Sequence, residues 1–186
     1  YLFILDINFL LSKTPGSNAN ETIGLSFNFS DKILIISSII MFHFSPFLIN
    51  KNFFIEFFDY SKKNILAIIS IFLLCIIFFE YSISFTGGGV FFQFSNLIFK
   101  SNTIFYIFAL LSLFLLGYIS NKNLNNFLIF FVLIFSNIQN SIYHKYYDPL
   151  ILILIFTIFN NFLNNDFFKK KINLFYLYCF YFIFIS

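Results

Sequence analysis

Tyr143, His144, Lys145, Tyr146, Tyr147 and Asp148 occupy six consecutive positions directly before Pro149. They form the densest grouping in the chain of side chains able to carry charge or move protons. Proline suits the first turn of a helix, where N–H groups lack intrahelical partners, and an aspartate before it is a natural N-cap. The sequence therefore predicts a helix starting at Pro149 and capped by Asp148. Lys145 and His144 beside such a positive helix start would hold an anionic group such as a phosphate, with Tyr146 in support. The same residues also suit anchoring at the membrane interface, tyrosines at headgroup depth and Lys145 on lipid phosphates. The polar run Ser136, Asn137, Gln139 and Asn140 just upstream favours a lined pocket.

Other chemistry-bearing groups are scattered. Asp31 and Lys32 close a long polar stretch and open an apolar one, where the acid favours the dipole of a following helix. Glu80 ends an apolar run, a place where a carboxylate pairs with a lysine, handles protons or sits wet at the headgroups. Gly87-Gly88-Gly89 lacks the spacing and the following lysine of a phosphate-binding loop, and reads as a flexible turn or a close approach of backbone to a ligand. His43, followed by Pro46, lies within an apolar stretch. With no Cys or acid at i+4, it reads as a packing or hydrogen-bonding residue, and the sequence offers no metal set. Pro46 should kink that helix and free a carbonyl that Ser45 or His43 could satisfy. Cys75 and Cys179 lack the paired spacing of a metal or redox motif and read as small hydrophobes. Asn20-Glu21-Thr22 and Asn28-Phe29-Ser30 match the glycosylation sequon, which arises easily in an Asn-rich chain.

The elements that must position these groups are membrane helices. At 60% hydrophobic and 10% charged residues, with mean hydropathy +0.88, the chain is too apolar for a water-soluble domain, in which about a quarter of residues are charged. The 35 Phe, the many Ile and Asn, and 11 basic residues that are all lysine resemble the residue usage of an AT-rich genome. A net charge of +3 is too small and dispersed for a nucleic-acid footprint, so the expected partners are membrane lipids and no nucleic acid. The chain reads as one all-α, polytopic transmembrane bundle over residues 1–186, with about five complete spans and partial spans at both ends. It is expected to be the C-terminal part of a longer protein.

Hydrocarbon-spanning helices need about 20 apolar residues. Ile33 to Asn50, Asn64 to Phe85 and Thr103 to Ile119 meet that need or nearly so, while Phe127 to Ile142 and Pro149 to Leu163 are shorter and either span or form a re-entrant hairpin. Another span begins at Asn173. Lysines concentrate in the connections 51–63, 120–126 and 164–172, which the positive-inside rule assigns to the cytoplasm. The stretches 12–32 and 86–102 and the Tyr143–Asp148 cluster then share the opposite, lumenal or periplasmic face. The expected location is a bacterial inner membrane or the endoplasmic reticulum.

The order of elements resembles the C-terminal half of GT-C class polytopic glycosyltransferases, most like the α-1,2-glucosyltransferases of lipid-linked oligosaccharide assembly. The resemblance rests on Ser30-Asp31-Lys32 leading into a His-bearing span, a basic cytoplasmic connection, a glycine-bearing outer one, and Lys145-Tyr146 shortly before Pro149. It implies transfer of a sugar from a polyprenyl-phosphate donor to a glycan acceptor at the non-cytoplasmic face, with no further cofactor. It also implies donor-phosphate contacts from Lys145, His144 and Lys32, and support from Asp31, Asp148, Tyr146 and Glu80. The family's late motif carries an acid before an Arg-Tyr pair. Here Tyr143 stands near the acidic position and Lys145 replaces the arginine, a point charge in place of a planar fork. The general base of such enzymes belongs to a first outer loop expected upstream of this chain. A transporter, lipid flippase or polysaccharide polymerase, with Glu80 and His43 as the critical pair, and a noncatalytic membrane subunit remain as alternative readings.

Overall fold

The computed structural model describes residues 28–49, 51–81, 87–137, 142–157 and 171–185. Among them are seven α-helices, one 3-10 segment and no strand: α1 (Phe29–Phe44), the 3-10 segment (Ser45–Ile49), α2 (Lys51–Ile77), α3 (Gly89–Phe99), α4 (Thr103–Lys122), α5 (Leu124–Phe135), α6 (His144–Thr157) and α7 (Lys171–Ile185). Most of the stretch 12–32, with the first sequon, and residues 158–170, with Lys169 and Lys170, lie outside the described residues.

Helix α1 is the axis of the bundle. Asn28 caps it, its side chain accepting from the Ser30 N–H at 3.1 Å. Almost every later residue is buried, because α2, α3, α4, α5 and α6 all pack against it. A helix apolar on every side needs such a collar. Its internal serines add no unpaired polar group. Ser37 and Ser38 bond back to the carbonyls of Leu34 and Ile35, and Ser112 of α4 donates to Ser37 at 3.1 Å. Small hydroxyl residues of this kind let apolar helices approach closely and hydrogen-bond across the contact.

The outer helices are apolar on the side that no neighbour covers. Leu66, Ile77 and Leu97 are each more than 70% exposed. Among the described residues two helices are long and apolar enough to cross a membrane, Ile55–Ile77 within α2 (23 residues) and Thr103–Asn121 within α4 (19 residues). The other helices are shorter over the described residues, and the expected span from Pro149 to Leu163 runs in part outside them.

Four boundaries differ from expectation. The lysine-bearing stretch 51–63 is helical throughout, so α2 begins 13 residues before the expected start at Asn64. Within the glycine-bearing stretch 86–102 lies the 11-residue α3. Pro46 ends α1 instead of kinking it. The carbonyl it deprives of a partner, that of Phe42, accepts from the Ser45 N–H and from Ser45 Oγ at 2.7 Å, so the helix passes into a 3-10 segment. Helix α6 starts at His144, leaving Pro149 inside the helix and Asp148 in its second turn, where it is no N-cap.

Candidate functional site

The early start of α6 creates the site. On an α-helix residues i and i+4 share a face, so His144 and Asp148 come together only because the helix begins before the proline. His144 Nε2 lies 2.9 Å from Asp148 Oδ1. His43, the penultimate residue of α1 and 105 positions away, brings its Nε2 to 2.9 Å from the same oxygen. The nitrogen and oxygen donors of the three residues all lie within 4.8 Å of one another.

Aromatic rings wall this trio. Phe42 sets its ring edge-on to both His43 and His144, at centroid distances of 5.5 and 5.2 Å. Tyr181 of α7 stacks on His43 at 6.0 Å and donates its hydroxyl to the His43 carbonyl, another group left over by the end of α1. His43 is 1% exposed and His144 12%, while Asp148 keeps 24% of its side chain accessible and provides the opening. Burial pushes the His144 imidazole down to about 4, with Asp148 pulling it up and His43 pushing it further down. The imidazole is therefore neutral near pH 7, a hydrogen-bond donor or lone-pair ligand and not the cation expected for a phosphate clamp. Burial likewise raises the Asp148 carboxyl above its usual range, against the opposing influence of His144.

The triple glycine seats α6 against this core. Gly88 (φ 94°) and Gly89 (φ 78°) adopt left-handed backbone at the start of α3, a conformation open to glycine. The Gly88 N–H donates to the Ile142 carbonyl at 2.8 Å, and the Ile142 N–H donates to Tyr81 Oη at 3.1 Å. A side chain at Gly89 would stand 2.8 Å from Ile39 Cγ1 and 3.7 Å from His144 Nδ1. This glycine run is a close approach of backbone to backbone, held at both ends, rather than a flexible turn.

The remaining residues expected at the site divide between two places. Lys145 and Tyr146 are exposed, and the Lys145 ammonium rests 5.5 and 5.3 Å from the rings of Tyr143 and Tyr146. Tyr147 turns inward and its hydroxyl accepts from Asn137 at 2.6 Å. Asp31 and Lys32 sit at the other end of α1, twelve residues or about 18 Å along the axis from His43. There Asp31 accepts from the Glu80 N–H at 2.9 Å, and the Lys32 ammonium lies 5.4 Å from the Phe29 ring. Desolvation raises the Asp31 carboxyl to about 6, outweighing the backbone N–H groups of Glu80 and Tyr81 and the Lys32 charge that lower it, while the Glu80 charge adds to the rise. Burial lowers the Lys32 ammonium, with Asp31 opposing. The Glu80 side chain is exposed.

Asp31 and Lys32 are thus not in the His144 cluster, and Glu80 and His43 do not meet. Sequence reasoning overlooked His43 as the third member, and Tyr181 behind it. A cavity of about 530 Å³ between α1, α2, α4 and α5, lined chiefly by apolar side chains with Tyr60, Asn64 and Asn121, contains none of the expected site residues. Comparison with protein-family models, with curated proteins and with solved structures gave no match for this chain.

Proposed function

We propose that this chain is the substrate-holding part of a multi-pass membrane glycosyltransferase that takes sugar from a polyprenyl-phosphate donor at the non-cytoplasmic face. The observation that carries this reading is a run of pairwise contacts between segments distant in sequence. Asp31 accepts from Glu80, Tyr81 and Gly88 bond to Ile142, and Ile142 leads directly into the His144–Asp148 turn. Lysine bias assigns all three connections to the same, non-cytoplasmic side; the glycine-bearing one and the segment leading into His144 touch through Gly88 and Ile142, while Asp31 stands about 18 Å along α1 from His43.

Chemically, transfer from a sugar phosphate needs donors or cations to stabilise the leaving phosphate and a carboxylate to take the acceptor's proton. Lys145, exposed in the first turn of α6, is the cation that a headgroup phosphate would meet first. His144 adds a neutral donor behind it, and Tyr143 and Tyr146 hold the lysine stem at headgroup depth. The exposed apolar faces of α2 and α3 leave the prenyl tail in lipid while its head is bound. Lys32, buried at the far end of α1, is left out of this phosphate contact and serves the fold.

The test is transfer from a labelled polyprenyl-phosphate sugar by the full-length protein in membranes. Lys145 touches only the two tyrosine rings, so Lys145→Ala should leave folding intact and reduce transfer by at least about a hundredfold, the scale of losing one transition-state donor. Undiminished transfer in that variant would remove the assignment.

A further inference from the structure

We propose that His43, His144 and Asp148 form a binding site for one divalent transition-metal ion, of the kind that zinc occupies with two imidazoles, one carboxylate and an open position. This inference is independent of the transferase reading, since it stands on three side chains and their surroundings.

The donor chemistry comes first. Two imidazole nitrogens and a carboxylate oxygen suit Zn²⁺, Fe²⁺, Co²⁺ or Cu²⁺, whereas Mg²⁺ and Ca²⁺ take shells of oxygen. Two donors one helical turn apart, joined by a third from a distant element, make an economical metal site, because α6 fixes the His144–Asp148 edge before α1 adds His43. The donors converge, with both Nε2 atoms 2.9 Å from a single Asp148 oxygen and the whole set within 4.8 Å. Around a tetrahedral ion, bonds of about 2.0–2.1 Å hold neighbouring donors roughly 3.3 Å apart. Entry of an ion therefore asks the two 2.9 Å contacts to widen by a few tenths of an ångström, through rotation of the partly exposed Asp148 carboxylate, and the two imidazole nitrogens, within 4.8 Å of each other, to settle at the same spacing.

The surroundings fit as well. Phe42 and Tyr181 fix the planes of the imidazoles and keep the walls apolar, which sharpens the field of a bound ion. The Tyr181 hydroxyl is engaged by the His43 carbonyl, so it stabilises the ring's seat without competing for the ion. Gly89 brings the start of α3 alongside His144, where even an added Cβ would stand in ordinary contact with Nδ1 at 3.7 Å. The side of Asp148 open to water is the route by which an ion enters and the place for a fourth ligand.

The experiment uses the full-length protein, produced without a histidine tag, stripped with chelator in detergent and titrated with Zn²⁺ and, separately, Cu²⁺. The expected result is one equivalent of metal per chain by elemental analysis, and an electron spin-echo signal from Cu²⁺ that counts two imidazoles. His43→Ala, His144→Ala and Asp148→Asn should each weaken Zn²⁺ binding by more than about a hundredfold, the upper range for loss of a mere supporting residue. Glu56→Gln, an exposed carboxylate elsewhere, should bind as the parent does. The spin-echo count is made on the unsubstituted protein, so it decides the matter even if a variant fails to fold. Substoichiometric binding, a copper signal with fewer than two imidazoles, or metal retained by all three variants would overturn the site and leave the trio as a hydrogen-bonded strut.

Discussion

The two ends of α1 take ionisable groups out of water in opposite ways. At Asp31 the chain surrounds the carboxylate with backbone: the Glu80 N–H donates to it and the helix start lies beneath it. At His43 the partners are side chains, Asp148 and the neighbouring His144. Backbone donors are fixed by the fold and cannot be exchanged, so the first arrangement joins α1 to the end of α2 and does little else. Side-chain donors can rotate, swap a proton for an ion, or admit a ligand. Similar burial at the two ends therefore carries a structural meaning at one and a chemical meaning at the other.

The sharpest way to break the comparison is to disturb the chemical end through its seat. Gly89→Ala puts a Cβ on a backbone at φ 78° and 2.8 Å from Ile39 Cγ1, and should cost about 3 kcal/mol, combining left-handed strain with overpacking. Thermal unfolding in detergent should fall by several degrees, and the equivalent change at exposed Ser70 should leave it unmoved. Removing the shared acceptor comes next. Asp148→Ala leaves the His43 imidazole 1% exposed without the oxygen it faces, at a cost of about 2 kcal/mol. Asp148→Asn retains an acceptor and should recover most of that stability, which unfolding of the two variants side by side would show.

Legibility from the sequence followed the same division. The all-helical class and an apolar exterior could be read from composition, and the 103–122 helix from its uninterrupted apolar run. That Ser45 could satisfy a carbonyl freed by Pro46 was legible too, although the proline ends the helix where a kink was expected. The site was hidden by one boundary. A helix taken to begin at Pro149 makes Asp148 a cap and puts His144 in a loop, so the i, i+4 pairing vanishes. Yet His144-Lys145-Tyr146-Tyr147 can form a turn before the proline, at the loss of the one intrahelical bond that Pro149 cannot donate, to the Lys145 carbonyl. His43 was harder to place, because its partners are 101 and 105 positions away and no local pattern predicts such a contact. The stretch 51–63 misled for another reason: Asp59, Lys62 and Lys63 sit exposed on a long helix, and charge alone does not distinguish that from a loop.

The structural end offers smaller effects with a definite sign. Folding raises the Asp31 carboxyl from 3.8 to about 6, so the folded state holds a proton that the unfolded state releases sooner. The contribution of Asp31 to stability is then full below pH 3.8 and is lost as pH rises through 6. Asp31→Asn keeps an oxygen for the Glu80 N–H and has no proton to lose. It should be no more stable than the parent near pH 3 and more stable by about 1 kcal/mol at pH 8, after discounting the weaker acceptor. A parent whose stability rises with pH over this range would show that the carboxylate is stabilised as an anion after all.

The smallest test links the ends back to the comparison. Tyr181→Phe removes a 3.3 Å hydrogen bond to the His43 carbonyl while keeping the ring stacked on the imidazole, and should cost about 0.5 kcal/mol. Because the stacking survives, the geometry at Asp148 should survive with it, so the variant should bind Zn²⁺ within a few fold of the parent. Tyr181→Ala removes ring and hydroxyl together, lets the imidazole turn, and should weaken Zn²⁺ far more than the small stability difference between the variants accounts for. Equal zinc affinity in the two variants would mean that His43 is oriented by Asp148 alone. The aromatic wall would then be packing, and the difference between the two ends of α1 would rest on the single carboxylate.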